Sequence, residues 1–441
     1  MFLRKRDTNN KVICYKARLV AQGFSQRLGI DYEETYSPVM DGITFKFLIS
    51  VAVGHKLFIR LLDVVTAYLY GNLDTDIYMK VPKGLLSKKQ QCTLENKSVK
   101  LQRALYGLKQ AGRMWYQRLS LFLINKGYHT CEQCPCIFIR KNTDGLAIIA
   151  VYVDDLNIIG TKEAIEKAAL ELKQEFEMKD LGQTTYCIGQ QVEYVAGGVL
   201  VHQTSYTKKV LKRFKFDSAY PLSSPMVVRS LQLEKDPYRP KEENEEALGP
   251  NAPYLAAIGA LMYLANNTRP DIAFAVNLLA RYSSVPTERH WAGIKHIFRY
   301  LKGTEDYGLF YQDNSSGTIT GYADAGYLSD PHKGRSQTGY VFMRQGAAIS
   351  WKSTKQSLVA TSSTYAEMIA LYEASRECVW LRAIDKFILN ASGLSSENST
   401  PTIIYEDNAA CIAQITAGYI KGKNTKYILS SFIYMSSLDP S

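Results

Sequence analysis

Two adjacent acids, Asp154 and Asp155, follow the apolar β-forming run Ile148-Ile149-Ala150-Val151-Tyr152-Val153, and a second apolar run, Leu156-Asn157-Ile158-Ile159, comes after them. The pattern predicts a hairpin over 147–159 with carboxylates at its tip. Two unpaired carboxylates buried in such a turn would be very costly. Beside an open cleft they suit hydrated Mg²⁺, and two such ions activate a 3′-hydroxyl and steady a triphosphate. Surface turns carry acid pairs too, so a third partner must be found. Asp63 closes a predicted strand over 58–64 and is the natural candidate, although a strand-end Asp is often only a cap or turn residue. A second set, Asp324, Glu367 and Asp407, is spaced by 43 and 40 residues. These positions are predicted to fall just after a strand, inside a helix, and at a strand-to-helix boundary. Three converging acids repel one another unless cations hold them, which is the requirement of two-metal phosphodiester hydrolysis. Position alone leaves them readable as ordinary surface acids.

The elements around these acids follow from periodicity. A basic stretch and a turn at Thr8-Asn9-Asn10 predict an N-terminal hairpin, entered halfway, running through residues 12–21. Residues 45–53 read as a helix. Apolar residues Leu105, Leu108, Met114, Trp115, Leu119, Phe122 and Leu123 predict one or two helices over 101–126. Residues 165–177 read as a charged amphipathic helix ended by Asp180-Leu181-Gly182, followed by a hairpin from 185–194 and 198–201. The acid-rich stretch 233–249 reads as a surface linker. Helices are predicted at 252–267, 270–282 and 287–301, with Pro270 and Pro286 at or before their starts. Past Gly303 come strands at 306–311, 317–323, 338–343 and 346–351, a helix over 363–388, a strand at 402–405 and a helix over 407–415. That order suggests a compact second domain.

At 441 residues two or more domains are expected. Lysine and arginine outnumber aspartate and glutamate by 53 to 42, a net charge of +11 that suits a polyanionic partner without requiring one. No apolar stretch reaches membrane-spanning length, so no membrane partner is expected. The eight cysteines are scattered, as in a reducing compartment. Cys131, Cys134 and Cys136 alone are clustered; with no second Cys or His pair at finger spacing they read as ordinary thiols rather than a zinc site.

Several ordered stretches resemble the Ty1/copia-type retrotransposon Pol polyprotein, in its reverse transcriptase and the RNase H that follows. They include Tyr15-Lys16-Ala17-Arg18-Leu19-Val20-Ala21-Gln22-Gly23-Phe24, Leu62-Asp63-Val64, Leu105-Tyr106-Gly107-Leu108-Lys109-Gln110-Ala111 and Tyr152-Val153-Asp154-Asp155. Downstream are Lys179-Asp180-Leu181-Gly182, Arg269-Pro270-Asp271-Ile272, Gly321-Tyr322-Ala323-Asp324-Ala325, Ser350-Trp351-Lys352-Ser353 and Ser362-Ser363-Thr364-Tyr365-Ala366-Glu367.

The resemblance implies an α+β fold: a palm/fingers/thumb-like polymerase domain, then an α/β RNase H-like domain with a mixed sheet. Its expected boundaries are 1–232 for the polymerase, 233–302 for a linker and helical connection, and 303–441 for the RNase H part. It implies that Asp63, Asp154 and Asp155 hold Mg²⁺, with Mn²⁺ as the alternative, and that Asp63 and Asp154 bridge the metals. Asp324, Glu367 and Asp407 would hold the ions of the second site. Tyr68 resembles the gate that excludes a 2′-hydroxyl, Tyr152 a contact to the primer end, and Gln110 part of the cradle for template base and nucleotide. Lys16 and Arg18, expected on one strand face, would grip triphosphate or template. Each has a plain structural alternative: core packing for the tyrosines, a solvated face for the cations. The implied partners are an RNA template, a DNA primer, an RNA–DNA hybrid and deoxynucleoside triphosphates. The expected location is a cytoplasmic virus-like particle, with the nucleus as the alternative.

Three departures accompany the resemblance. Gly112 stands where Pro is common, Tyr427 stands where His is usual, and a late acid completing the second metal site is missing from the final residues. Both ends read as truncated. The sequence therefore predicts a polymerase with an impaired RNase H, with a catalytically inactive nucleic-acid-binding remnant as the alternative.

Overall fold

The computed structural model describes residues 2–6, 11–82, 97–230, 232–250, 252–394 and 401–416. The chain forms two compact units, one from Met1–Met40, Phe58–Gln183 and Ala391–Gly393, the other from Asp41–Leu57, Thr184–Asn390 and Leu394–Ser441. Several sheets and helices, largely segregated along the chain, make the fold α+β.

In the first unit, β1 (Phe2–Arg6) and β2 (Val12–Ala17) form the predicted N-terminal hairpin. The helix α1 (Gly42–Gly54) belongs to the second unit. Next come β3 (Phe58–Val64), a small ladder of β4 (Tyr78–Lys80) with β5 (Ser98–Lys100), and helix α2 (Ala111–Asn125). The strands β6 (His129–Cys131), β7 (Cys134–Asn142), β8 (Gly145–Tyr152) and β9 (Asp155–Gly160) precede helix α3 (Lys162–Glu175) and β10 (Met178–Gln183). A six-stranded antiparallel sheet results, in the order β10-β3-β9-β8-β7-β6. One face of it carries Leu62, Val64, Ile149, Val151, Leu156 and Ile158, packed with Trp115, Leu119 and Leu123 of α2 and Ala164, Ile165, Ala168 and Leu172 of α3. Because side chains alternate along a strand, Asp63 and Asp155 project from the opposite face.

Two expectations for this unit need correction. Helix α2 starts at Ala111, so Leu105 and Leu108 precede it. Gly107 has φ +94° there, and a Cβ on it would lie 2.2 Å from the Ala21 carbonyl oxygen. A residue at φ +94° lies outside the right-handed helical region, so no helix can run through 107. Residues 180–182 do not terminate a helix but lie within β10, where Lys179 pairs with Asp63 and Asp180 with Leu62. Asp180 accepts from Arg60 and, at 2.6 Å, from Lys173 Nζ, so its carboxyl sits well below the usual range, chiefly through the Arg60 bond.

The second unit contains β11 (Tyr186–Cys187), β12 (Gln190–Val195) and β13 (Gly198–His202), then helices α4 (Thr204–Phe214), α5 (Tyr254–Asn267), α6 (Ala273–Ala280) and α7 (Glu288–Gly303). The four helices share one apolar core. The strand β14 (Gly308–Gln312), expected to open the last domain, instead pairs with β13 and completes the sheet β11-β12-β13-β14. The other sheet comprises β15 (Thr320–Asp330), β16 (Arg335–Arg344), β17 (Ala347–Lys355) and β18 (Ile403–Tyr405), in the order β17-β16-β15-β18. It is mixed: β15 and β18 run parallel, the other pairs antiparallel. Helix α8 (Ser363–Ser392) buries Ala366, Ala370, Ala374, Leu381, Ile384 and Ile388, a spacing that sets one apolar stripe inward. Helix α9 (Ala409–Thr416) follows β18.

Helix α1 is buried along its length and capped by Asp41, whose Oδ1 accepts from Thr44 N at 2.7 Å. Its Lys46 is 1% exposed. The ammonium donates to the Asn267 carbonyl at 3.2 Å and sits 4.4 Å from the Trp351 ring centre. Burial lowers its pKa to about 8, against the opposing pull of Asp41. The unfolded chain keeps this proton to about 10.5, so stability should rise as pH climbs from about 8 towards 10.5. Replacing Lys46 by Met should stabilise the protein at pH 7 by about 1 kcal/mol. Denaturant melts at pH 7 and pH 9.5 should show that advantage shrinking at the higher pH.

Candidate active site: two acidic clusters

In the first unit the antiparallel register sets Asp63 directly across from Asp155, and Asp155 across from Tyr152. Directly paired residues share a sheet face. Lys179, on β10, stands across from Asp63 on its other side. One face thus carries the row Lys179, Asp63, Asp155 and Tyr152 on four neighbouring strands. Asp154 lies outside the row, in the two-residue turn between β8 and β9. All three acids are half-buried.

That turn is strained and held. Val153 has φ +56°, uncommon for a β-branched residue and costing of order 1–3 kcal/mol. Primed hairpin turns need a positive φ at this place. The Trp115 indole N–H donates to the Val153 carbonyl at 2.6 Å, and Val64 N–H donates to the Asp154 carbonyl at 2.8 Å. The turn is thereby fixed from α2 and from the Asp63 strand together. Burial, with Asp154 and Asp63 adding repulsion, raises the Asp155 carboxyl to about 6. A set of oxygen ligands that repel one another is what a hard divalent ion would satisfy.

The other candidate residues of this unit divide. Tyr68 lies on the short 3₁₀ turn Ala67–Tyr70, which follows Thr66 in the left-handed region. Burial and then the charge of Asp154 raise its phenol pKa, so Tyr68 is close to the acids. Tyr152 is 37% exposed on their face. Gln110 is fully buried at the start of α2, and its amide is already engaged. It donates to the Asp31 carbonyl at 2.9 Å and accepts from Gln26 Nε2 at 3.0 Å. Gln110 therefore fixes loops rather than presenting a free amide. Lys16 is in β2, across from Leu3, while Arg18 lies one residue past that strand. Arg18 sits 5.4 Å from the Tyr106 ring centre, and Tyr106 lies 4.8 Å from Tyr68.

In the second unit Asp324, Glu367 and Asp407 offer carboxylate oxygens within 4.8 Å of one another. Tyr322 pairs with Tyr405 in the parallel ladder, so Asp324 and Asp407, each two residues on, reach the same end of neighbouring strands. Asp324 is within β15, not just after a strand as expected, and pairs with Gly339. Glu367 comes from the first turns of α8. It is 6% exposed, and its Oε2 has no hydrogen-bond partner. Burial, then Glu406 and Asp324, raise its carboxyl to about 8. Burial and Asp407 raise that of Asp324. A buried carboxylate oxygen lacking a donor and converging with two others fits a cation site. The departures at Tyr427 and in the final residues lie outside the described residues.

Three neighbours escaped the sequence reading. Glu406 adjoins Asp407, and its Oε2 is also buried without a partner; burial and then the nearby acids raise its pKa. The doublet Glu406-Asp407 was the available signal, parallel to Asp154-Asp155. Lys179 and Tyr106 were visible as residue types, but only strand register and ring packing bring them to the acids. Cys134 and Cys136, Sγ atoms 3.3 Å apart, are buried with Cys131, and these thiols form no metal-ligand cluster among the described residues.

The chain belongs to the family of reverse transcriptases (RNA-dependent DNA polymerases), whose model matches residues 1–228. Its relatives are Pol polyproteins of copia-type retrotransposons. It is 37% identical over 386 residues to the retrovirus-related Pol polyprotein from transposon TNT 1-94 of Nicotiana tabacum, covering 87% of this chain and 28% of that protein. With the Pol polyprotein from transposon RE2 of Arabidopsis thaliana it shares 34% over 410 residues, 92% of this chain and 27% of the relative. The Ty1-NL1 Gag-Pol polyprotein of Saccharomyces cerevisiae is 27% identical over 442 residues, 92% of this chain and 23% of the relative. The chain thus spans about a quarter of the length of these relatives. No helix among the described residues is long and apolar enough to cross a membrane.

The raised carboxyls give a test. Asp155 and Glu367 hold protons more tightly in the folded, metal-free protein than in the unfolded chain. Their contribution to stability is complete below the ordinary carboxylate range and is lost as pH rises through about 6 and about 8 respectively. Millimolar Mg²⁺ should raise the melting temperature at pH 8 and leave it nearly unchanged at pH 5. The double variant Asp155→Asn, Glu367→Gln should melt higher than wild type in EDTA at pH 8 and respond little to Mg²⁺. Equal Mg²⁺ shifts in variant and wild type would contradict the assignment.

Proposed function

We propose that the chain carries an RNA-directed DNA polymerase centre at Asp63, Asp154 and Asp155, with an RNase H-like centre at Asp324, Glu367 and Asp407. The observation that carries the first reading is the β3–β9 register, which pairs Asp63 with Asp155 and places Asp154 in the adjoining turn. The domain plan follows the sequence reading, a reverse transcriptase of fingers, palm and the start of a thumb over 1–232, a connection over 233–302 and an RNase H-like part over 303–441, except that β14 pairs with β13 rather than with the last sheet. Mg²⁺, or Mn²⁺ in its place, would be held by these carboxylates and would lower the pKa of the attacking hydroxyl while neutralising phosphate charge.

The protein's own groups supply the positioning. Tyr68 would stand under the sugar of the incoming deoxynucleoside triphosphate and crowd a 2′-hydroxyl. Arg18 and Lys16 would meet phosphate, and Tyr152 the end of the DNA primer. Gln110 would act indirectly, by holding the 26–31 loop. At the second centre the substrate would be the RNA strand of an RNA–DNA hybrid, told from DNA by its 2′-hydroxyls. The net charge of +11 favours both polyanions. The relatives' Pol polyproteins support a virus-like particle in the cytoplasm as the working location.

The test is a pair of assays on the whole chain. With Mg²⁺, an RNA template and a DNA primer, deoxynucleotide incorporation should fall at least about a hundredfold in Asp154→Asn, as loss of a group stabilising transition-state charge does. Cleavage of a labelled RNA–DNA hybrid should be unaffected by Asp154→Asn and abolished by Asp324→Asn. Metal-independent binding of the duplex with neither activity would instead mark an inactive nucleic-acid-binding remnant.

A further inference from the structure

Tyr68 projects from a one-turn 3₁₀ segment and packs its half-buried ring against the edges of two apolar clusters. A ring that reads a single hydroxyl must be fixed to a fraction of an ångström. Tyr106 lies against it, ring centres 4.8 Å apart and planes at 54°, within the range of favourable aromatic pairs. The guanidinium of Arg18 stands 5.4 Å from the centre of the same Tyr106 ring.

The backbone under Tyr106 is unusually constrained. Its carbonyl accepts from Ala21 N–H at 2.7 Å. The next residue, Gly107, lies so close to the 20–21 segment that a Cβ would meet the Ala21 oxygen at 2.2 Å and Val20 Cγ1 at 2.6 Å. A Cβ on Gly23 would in turn meet the Gly107 oxygen at 1.9 Å. Three residues on, Gln26 closes the arrangement, its Oε1 accepting from Lys109 N at 2.8 Å and its Nε2 donating to Gln110 at 3.0 Å. The segment is thus tied to the 106–110 turn at Ala21 and again at Gln26, and Arg18, three residues before the first tie, faces the Tyr106 ring. Asp154 and Asp63 both act on the Tyr106 phenol, whose pKa is raised by burial first and by Asp154 next, so the ring lies within the field of the acidic row.

We propose that Tyr106 is a positioning residue for nucleotide selection: held through its backbone by the 21–26 segment and faced by Arg18, it holds the Tyr68 ring where the 2′ position of the incoming sugar is read. Arg18, the Tyr106 ring and the Tyr68 ring would form one relay, coupling the cation that meets the triphosphate to the ring that meets the sugar. This rests on the polymerase reading of Asp63, Asp154 and Asp155 and on Tyr68 as the gate. It adds a residue that never touches the nucleotide and acts through packing alone. The hydroxyl of Tyr106 has no part in that role; the ring does.

The experiment is steady-state primer extension by the whole chain with deoxy- and ribonucleoside triphosphates in parallel, read as the ratio of their kcat/KM values. Tyr106→Leu should still extend with deoxynucleotides, while its preference for them falls about three- to tenfold, the loss of one aromatic pair. Tyr106→Phe should restore the wild-type ratio. A ratio for Tyr106→Leu within about twofold of wild type, or an equal loss of kcat/KM with both sugars, would overturn the proposal. If Tyr106→Leu loses its cooperative thermal transition, Arg18→Gln decides: a ratio reduced about two- to fivefold supports the relay, and an unchanged ratio overturns it. Wild-type extension with deoxynucleotides in the same assay separates the two levels. Without Mg²⁺-dependent extension the polymerase reading fails and this inference falls with it; with extension, only the ratios bear on Tyr106.

Discussion

Like charges brought into a half-buried site repel, and the structure is organised around keeping them there. In the first unit the pairing of β3 with β9 does this: it puts Asp63 opposite Asp155 while Leu62, Val64 and Leu156 anchor the same strands in the core on the other face. A one-residue slip of β3 would turn Asp63 into the apolar layer and Leu62 outward, so the burial of the core fixes the register of the acids. The strained Val153 turn is maintained by bonds from Trp115 and Val64, both within the same buried layer. Hydrophobic packing thus holds the carboxylates in place, and their repulsion is left for a divalent cation to relieve.

The second unit meets the same constraint with different parts. A parallel strand pair brings Asp324 and Asp407 to one end of a mixed sheet, and a long helix carries Glu367 to them through an alanine-rich buried stripe. Small residues let that helix approach closely enough for a carboxylate in its first turns to reach the strand ends. The buried, unpartnered oxygens of Glu367 and Glu406 are compatible with a cation there.

Much of this was legible in the sequence where local pattern and tertiary role coincide. The strand carrying Asp63 and the hairpin carrying Asp154 and Asp155 are short apolar β-forming runs, and the helix carrying Glu367 sets alanines at helical spacing, so their existence follows from local sequence. The failures have a common cause, since each depends on a partner distant in the chain. Leu105 and Leu108 mimic helical spacing, but Gly107 at φ +94°, set where the chain crosses Ala21, breaks any helix between them. Asp180-Leu181-Gly182 looks like a helix stop, yet pairing with β3 makes it a strand. The strand β14 adjoins the last sheet in sequence but finds its edge partner in β13. The resemblance implies that Gln110 cradles template base and nucleotide, and only the partners Gln26 and Asp31, distant in the chain, show that its amide is occupied.

The most direct test of the central claim, that each acidic cluster is a divalent-ion site, is localised backbone cleavage by hydroxyl radicals generated from Fe²⁺ bound in place of Mg²⁺. The account predicts cuts close to Asp63 and the 152–155 turn, and a separate set close to Asp324, Glu367 and Asp407, both suppressed by excess Mg²⁺. Cuts scattered over the chain, or cuts at these positions that Mg²⁺ does not suppress, would contradict it.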